Sequence, residues 1–238
     1  MNGNKVEIVF FDAGETLLHP DPSFHELFVD VCARKGYEVD VEQVLKIQQR
    51  LAPHLVELAE ETGITAPSLD ADDSLTFWSH LYRRLLGELG IEDETLVRDM
   101  YGTFSSTSSY RLFDDVLPAL ERLTEMGYRL GLISNFEEWL EEMLVELEVG
   151  HLFDVSVISG AEGMEKPDPE IYRRALTKAG VDPNFAVHVG DSPANDIDPA
   201  RAVGIMAVLL DRYNRYPDMS PRVRALTDLP DLLADPLD

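Results

Sequence analysis

The stretch from Val6 to Leu18, VEIVFFDAGETLL, constrains the fold of this chain more than any other. Its apolar half is rich in β-branched and aromatic residues, and it stops at Asp12 and a glycine-containing turn. Such a run predicts a strand that is buried on both faces of a parallel sheet. Open α/β sheets bind ligands in the crevice beyond the carboxyl ends of their strands, which is where Asp12 stands. Asp12 is therefore the first candidate for a functional residue.

The length and the charge of the chain limit its partners. At 238 residues, the chain has room for a core domain and a smaller insert. Its net charge of −25 at pH 7 disfavours nucleic acid and anionic membrane surfaces, because such partners require clustered Lys and Arg. No apolar stretch approaches the roughly 20 residues of a membrane span, no signal peptide is recognisable, and Cys32 is the single cysteine. We therefore expect a cytoplasmic protein.

Helical periodicity dominates residues 19–110. Four helices are predicted, beginning near Ser23, Asp40, Ser74 and Asp93. Ser23 and Glu26 form a capping-box pattern at the first helix, and the apolar spacing of the second continues as far as Leu58. No strand-like alternation interrupts these helices, so we expect residues 19–110 to form an inserted helical bundle.

After residue 110, short apolar strands alternate with helices. The predicted strands are 129–133, 155–158, 186–189 and 205–210, and the predicted helices are 115–126, 136–147, 169–179 and 194–203. This alternation is typical of a parallel sheet that helices cover on both faces. We therefore predict an α/β fold with a doubly wound, Rossmann-type parallel sheet formed by residues 1–18 and 111–238, into which the helical bundle 19–110 is inserted.

Polar residues follow the predicted strands. They are Asp12, Ser134 with Asn135, Lys166, and Asp191 with Asp196. Because the loops at the carboxyl ends of parallel strands meet at one edge of the sheet, we expect these side chains to converge. Two or three carboxylates suit Mg²⁺, an ammonium group can neutralise an anionic intermediate, and a hydroxyl and an amide can hydrogen-bond its oxygens. The set indicates phosphoryl transfer through a covalent carboxylate intermediate.

These four motifs resemble those of the haloacid dehalogenase-like hydrolase superfamily, in the same order and over nearly the whole chain. In that family the motifs are D-x-D-x-T, a hydrophobic residue followed by Ser or Thr, a Lys, and G-D-x-x-x-x-D. The helical insert resembles the mobile cap of the family. The resemblance implies a Mg²⁺-dependent phosphatase that acts through an aspartyl-phosphate on a small phosphorylated molecule.

The resemblance also implies a role for each matching residue. Asp12 would be the nucleophile, Ser134 would hold the transferring group together with Asn135, and Lys166 would neutralise its charge. The implied metal ligands are Asp12, Gly14, Asp191 and Asp196.

The first motif departs from the family pattern at Gly14. Most phosphatases of the family carry a second Asp there, which protonates the leaving alcohol and later activates water. Glu15 is the neighbouring carboxylate, but alternate residues of an extended segment face opposite ways, so we expect its side chain to point elsewhere.

Three functions remain open at this level. The first is a phosphatase that favours acyl or aryl phosphates, whose leaving groups need no proton. The second is the chemistry of the dehalogenases or of the phosphonoacetaldehyde hydrolases, two classes of the family that also lack the second Asp. Dehalogenases usually have Tyr at that position. Phosphonoacetaldehyde hydrolases use a lysine of the cap, for which Lys35 and Lys46 are the candidates here. The third is a binding or regulatory protein on a hydrolase scaffold.

Overall fold

The computed structural model describes residues 6–51 and 54–234. The chain divides into two compact units with boundaries after Leu18 and after Arg111, so that one unit is continuous and the other is built from the two flanking segments. The outermost parts of the predicted core, 1–5 and 235–238, lie outside the described residues.

The flanking segments form an α/β unit around a parallel sheet. The strands of the described chain are β1 (Ile8–Phe11), β2 (Leu18–Pro20), β3 (Tyr110–Leu112), β4 (Arg129–Ser134), β5 (Val155–Ile158), β6 (Ala186–Gly190), β7 (Met206–Leu210) and β8 (Arg222–Val223). Six of them make one sheet in the order β5-β4-β1-β6-β7-β8, in which every pair is parallel, while β2 and β3 pair separately. The predicted parallel sheet is therefore confirmed, and the short strands β2, β3 and β8 are additions to the prediction.

The strand β1 occupies the middle of this sheet. Ile8 lies opposite Arg129 of β4 on one side and Ala186 of β6 on the other. Every residue of β1 is fully buried, as its continuous apolar run predicts for a strand covered on both faces. The strand order reverses between β1 and β6, and such a reversal opens a crevice at the carboxyl ends of the two strands. Asp12 lies at this crevice, and its backbone N–H donates to the carbonyl of Val189 at 2.9 Å.

The helical unit has a core of its own. Its helices are α1 (Phe24–Arg34), α2 (Val41–Leu51), α3 (Leu55–Thr62), α4 (Ala71–Glu88) and α5 (Glu94–Phe104). Ser23, Asp70 and Asp93 cap α1, α4 and α5, because each side chain accepts a hydrogen bond from a backbone N–H of the first turn. Apolar residues of α1, α2, α4 and α5 pack in one cluster around Phe28 and Met100.

One predicted helix of this unit is wrong. The periodicity from Asp40 to Leu58 predicts a single helix, but the structure has two, α2 and α3. Pro53 stands between them in the sequence, and proline removes a helical hydrogen-bond donor and disfavours helical backbone at the residue before it. Residues 52 and 53, through which the prediction ran, lie outside the described residues.

The helices of the α/β unit follow the predicted alternation. They are α6 (Val116–Glu125), α7 (Leu140–Glu146), α8 (Ser159–Glu162), α9 (Pro169–Ala179), α10 (Asp198–Ala202) and α11 (Leu229–Ala234). A π-helical segment lies at Pro193–Ile197, and 3-10 turns lie at Gly150–Leu152, Pro183–Phe185 and Leu226–Asp228; a further 3-10 turn, Thr107–Ser109, belongs to the helical unit. Among the residues described, none of these or the other helices combines the length and the apolar character needed to cross a membrane.

The helix α7 begins later than the sequence predicts. The prediction starts it at Phe136, but the backbone of Phe136 is bound to Ser159, whose Oγ accepts from its N–H at 2.8 Å and donates to its carbonyl at 2.9 Å. The N–H of Gly160 also donates to the carbonyl of Phe136. These bonds to a distant segment replace the first turn of the predicted helix.

Candidate active site

The carboxyl edge of the sheet brings the predicted residues together. Asp12 follows β1, Ser134 ends β4, and Asp191 follows β6. Carboxylate oxygens of Asp12, Asp191 and Asp196 lie within 4.8 Å of one another. Because these residues come from loops that follow adjacent strands, the parallel topology is what produces the cluster.

Lys166 lies between two carboxylates of this cluster, those of Asp12 and Asp196. Its Nζ donates to Asp12 Oδ1 at 2.7 Å and to Asp196 Oδ1 at 2.6 Å, and only 3% of its side chain is exposed. A lysine buried this deeply requires anionic partners to offset the loss of its hydration. The ammonium group therefore joins two carboxylates whose positions in the sequence are far apart.

The backbone of Lys166 is held by Asn135. The N–H of Lys166 donates to Asn135 Oδ1 at 2.6 Å, and Asn135 Nδ2 donates back to the carbonyl of Lys166 at 2.7 Å. Asn135, which the sequence analysis assigns to substrate binding, thus positions Lys166 in this structure. Ser134 is fully buried, and its Oγ lies 3.4 Å from Asp12 Oδ1.

Asp196 is surrounded by hydrogen-bond donors. Its Oδ1 accepts from Lys166 and lies 3.1 Å from His188 Nε2, and its Oδ2 accepts from the N–H of Ser192 at 3.0 Å. Gly190 makes this approach possible, because a β-carbon at that position would collide with the Asp196 side chain. His188 is a fully buried residue of β6, and its contact with Asp196 has no signal in the sequence.

The charges around Lys166 set the pKa values on this side of the cluster. Burial alone would lower the pKa of Lys166, but Asp12 and Asp196 hold it above its usual range, so the amine is cationic. Burial alone would raise the pKa of Asp196, but Lys166 and His188 hold it well below its usual range. Burial raises the pKa of Asp12, and Lys166 offsets part of that rise.

Asp191 has the opposite surroundings. Burial and the charges of Asp12, Asp196 and Glu15 raise its pKa from 3.8 to about 8, and Lys166 opposes that rise only weakly. Three carboxylates therefore share one ammonium group, and the excess negative charge of the cluster acts most strongly on Asp191, which without a cation keeps its proton up to about pH 8. Clustered carboxylate oxygens with excess negative charge fit a hard divalent cation. The residues that could hold one are Asp12, Asp191 and Asp196.

The turn after Asp12 differs from the expectation for Glu15. The alternation argument assumes extended backbone, but Glu15 has a φ of 56°, in the left-handed region. The expectation that its side chain points elsewhere therefore rests on a backbone that Glu15 does not have, and its charge is one of those that raise the pKa of Asp191. Gly14 has ordinary backbone, and a β-carbon added to it would meet no atom of the described chain within 4 Å.

Comparisons with known proteins identify the family of this chain. A family model described as haloacid dehalogenase-like hydrolase matches residues 6–204. The chain is 31% identical over 236 residues to the glyceraldehyde 3-phosphate phosphatase of Methanopyrus kandleri, which covers 97% of this chain and 93% of that protein. It is 30% identical over 240 residues to the phosphoserine phosphatase of Thermus thermophilus, which covers 92% of this chain and 95% of that protein.

Solved structures show the same fold. The HAD-hydrolase YfnB from Bacillus subtilis superimposes with a TM-score of 0.75 at 17% sequence identity, covering 97% of this chain and 100% of that chain. The family match spans most of the sequence, and the matched segments carry the carboxylate cluster at the edge of the sheet. The chain therefore belongs to the haloacid dehalogenase-like hydrolases and is a phosphatase-like hydrolase.

Proposed function

We propose that this hydrolase is a Mg²⁺-dependent phosphatase that acts on a small phosphorylated molecule through an aspartyl-phosphate at Asp12. The arrangement of Asp12 supports this proposal most directly. It lies at the end of the central strand, bonded to a buried ammonium group, with two further carboxylates within 4.8 Å. The phosphatases of Methanopyrus kandleri and Thermus thermophilus, to which the chain is similar, support a small phosphorylated substrate.

In this proposal Asp12 attacks the substrate with Oδ2. Lys166 and Ser134 both lie on Oδ1, so the proposal assigns the attack to the other oxygen. A bond forms between Oδ2 and phosphorus while the bond from phosphorus to the leaving oxygen breaks. Water then attacks the phosphorus of the aspartyl-phosphate, which releases inorganic phosphate and restores the carboxylate.

The chain offers two sources of positive charge for the phosphoryl oxygens. Lys166 is cationic and lies beside the nucleophile, so it can stabilise negative charge that develops in the transition state. Mg²⁺, when held by Asp12, Gly14 and Asp191, would neutralise part of the phosphate charge. Asp196 also lies within reach of such an ion, but its oxygens accept from Lys166 and Ser192, so its main role in this proposal is to keep Lys166 beside Asp12.

Gly14 determines which leaving groups suit this site. Without a carboxyl group at that position, a leaving alkoxide has no acid from the first motif to protonate it, a step worth roughly 10² to 10⁴ in rate. Acyl and aryl phosphates have leaving groups that depart without a proton. We therefore propose that such phosphates are the preferred substrates and that the helical unit, His19–Arg111, is the cap that selects among them.

The lysines of the helical unit argue against phosphonoacetaldehyde hydrolase chemistry. A lysine that forms a Schiff base must be available as a neutral amine. Lys35 donates to Asp99 at 2.8 Å, which raises its pKa, and Lys46 lies 3.4 Å from Glu42. The carboxylate partner of Lys35 therefore favours the charged form of its amine, and Lys46 lies in an exposed ion pair within α2.

A turnover screen tests the proposed function. Acetyl phosphate, p-nitrophenyl phosphate, glycerol phosphate and a 2-haloacid are offered with Mg²⁺ and with EDTA, and inorganic phosphate or halide is measured. We expect Mg²⁺-dependent hydrolysis of the acyl and aryl phosphates and no release of halide. Asp12→Asn should abolish turnover, because the covalent route is lost.

The screen also separates the alternatives. Asp30→Asn, an exposed change in α1, serves as the matched control and should retain wild-type turnover. Release of halide without metal would favour the dehalogenase alternative. No turnover of any compound would favour the binding or regulatory protein.

A further inference from the structure

Arg212, in the loop after β7, links the turn that carries Asp12 to the rest of the α/β unit. Its Nη2 donates to the backbone carbonyl of Thr16 at 2.8 Å and to Asp115 Oδ1 at 3.0 Å, and its Nη1 donates to Asp115 Oδ2 at 2.8 Å. The guanidinium carbon also lies 3.9 Å from the centre of the Phe113 ring. These contacts leave only 12% of the Arg212 side chain exposed.

The turn itself has a small set of internal hydrogen bonds. The N–H groups of Leu17 and Leu18 donate to the carbonyl of Ala13 at 2.8 and 3.0 Å, and the N–H of Glu15 donates to the carbonyl of Leu18 at 2.8 Å. The Thr16 carbonyl is not part of this set, and Thr16 is fully buried. Arg212 therefore satisfies a buried acceptor that the turn leaves open, and it fixes the turn from outside.

Asp115 in turn holds Arg212 rigidly. Its Oδ2 accepts from the N–H of Leu226 at 2.7 Å in addition to the bond from Arg212. Phe113, whose ring lies under the guanidinium group, donates from its backbone N–H to the carbonyl of Leu17 at 3.0 Å. A bidentate charge-assisted pair that is largely shielded from water has one strongly preferred geometry. The orientation of the guanidinium group is thus set by contacts on three sides.

We propose that Arg212 is a positioning residue for the phosphoryl transfer at Asp12, acting through the Thr16 carbonyl. This inference rests on the proposed function of Asp12 as the nucleophile. The turn contains no regular helix, and few bonds join it to the rest of the α/β unit; the bond from Arg212 to Thr16 is a charge-assisted one. Misplacing a reacting group by about 1 Å can cost roughly 10²-fold in rate.

The variant Arg212→Lys tests this role. Lysine keeps the positive charge but cannot make the fork-shaped contact to Asp115 and Thr16 together. We expect kcat per folded molecule to fall roughly 10- to 100-fold while KM changes less than about twofold. Asp115→Asn should give a comparable loss, and the double variant should lose little more than the worse single variant, because both changes break one unit.

A matched control separates positioning from general stability. Arg201 also donates from Nη2 to a loop carbonyl, that of Ser220 at 2.9 Å, in another part of the same unit. Arg201→Lys should leave kcat near the wild-type value. The folded fraction of each variant is measured by circular dichroism, so that a loss of folded protein is not counted as a loss of rate. A kcat for Arg212→Lys within twofold of wild type, or an equal loss in Arg201→Lys, would overturn the inference.

Hydrogen exchange gives a readout that does not depend on turnover. In Arg212→Lys, the amides of Glu15, Leu17 and Leu18 should exchange faster than in the wild type, whereas Arg201→Lys should leave them unchanged. Unchanged exchange in Arg212→Lys contradicts the inference even if the enzyme is active. If the wild type hydrolyses no phosphate compound, the proposed function fails, and the exchange rates still decide whether Arg212 fixes the turn.

Discussion

Asp196 and Asp191 lie in the same loop after β6, but the two sides of the site to which they belong differ in charge. On one side, Lys166, His188 and a backbone N–H surround Asp196, and its pKa is lowered. On the other side, burial and neighbouring carboxylates raise the pKa of Asp191 to about 8. The first side is neutralised within the protein, whereas on the second a bound cation would replace the proton that Asp191 otherwise keeps up to about pH 8. The difference indicates that Asp196 organises the site and that Asp191 is the carboxylate most in need of a metal.

The largest expected effect is that of Asp191→Asn on metal binding. Loss of a residue that only hydrogen-bonds a metal ligand weakens metal binding roughly 10- to 100-fold. If Asp191 binds Mg²⁺ directly, this change should weaken Mg²⁺ binding by more than that. Turnover at limiting Mg²⁺ should fall with it. Isothermal calorimetry measures the affinity, and Asp30→Asn is the exposed control. Equal heats from the two variants would mean that the acidic surface binds the ion diffusely.

Asp196→Asn should act mainly on stability instead. The side chains of Asp196 and Lys166 are almost fully buried, and removing one partner of such a pair costs about 3 kcal/mol or more. For a protein of this size, that corresponds to a fall in Tm of roughly 6 to 12 °C. Thermal unfolding monitored by circular dichroism in EDTA provides the measurement. A Tm equal to that of the wild type would show that Lys166 does not depend on Asp196.

Gly14→Asp tests whether the site lacks a general acid at this position. A β-carbon fits at Gly14 without a contact in the described chain, and the backbone there is ordinary, so the added carboxyl group should be tolerated. We expect the ratio of alkyl to aryl phosphate turnover to rise by roughly 10²-fold, because only the alkyl leaving group depends on protonation. Glycerol phosphate and p-nitrophenyl phosphate are the two substrates. If the wild type already hydrolyses glycerol phosphate rapidly and the variant leaves the ratio unchanged, another residue supplies the acid.

The smallest expected effect is on the pH dependence of stability without metal. Because the folded-state pKa of Asp191 is raised from 3.8 to about 8, the folded protein holds a proton that the unfolded chain has lost between these values. The free energy of unfolding therefore decreases as pH rises toward 8 and levels off above it. In EDTA, the wild type should lose roughly 5 °C more in Tm from pH 6 to 8 than Asp191→Asn. Parallel curves would contradict the raised pKa of Asp191 in the folded state.

Local patterns in the sequence are enough to identify most elements of the α/β unit. The run before Asp12 is apolar at every position because β1 is buried on both faces, and the bounds of β5 and α9 coincide with their predictions. Strand ends and glycine-containing turns also mark the loops in which Asp12, Lys166 and Asp191 stand. Since parallel strands bring those loops to one edge, the convergence of the cluster follows from the order of the elements.

Contacts between distant segments account for what those patterns miss. Phe136 leaves the predicted helix because Ser159 binds its backbone, and Glu15 has left-handed backbone where its sequence neighbours predict an extended one. The bond from Arg212 to Thr16 joins two residues that are 196 positions apart in the sequence. None of these contacts leaves a local periodicity that a sequence window could detect.

The charge balance of the site belongs to the same category. Asp191 and Asp196 are equivalent in the sequence, as two carboxylates of one motif, and composition assigns them equal charge. Their pKa values diverge because Lys166 approaches Asp196 from the loop after β5, while Asp12 and Glu15 act on Asp191 from the loop after β1. The sequence thus specifies which ionisable groups reach the edge of the sheet. Their distances and burial in the folded chain establish which carboxylate the protein neutralises, because electrostatic interactions depend on both.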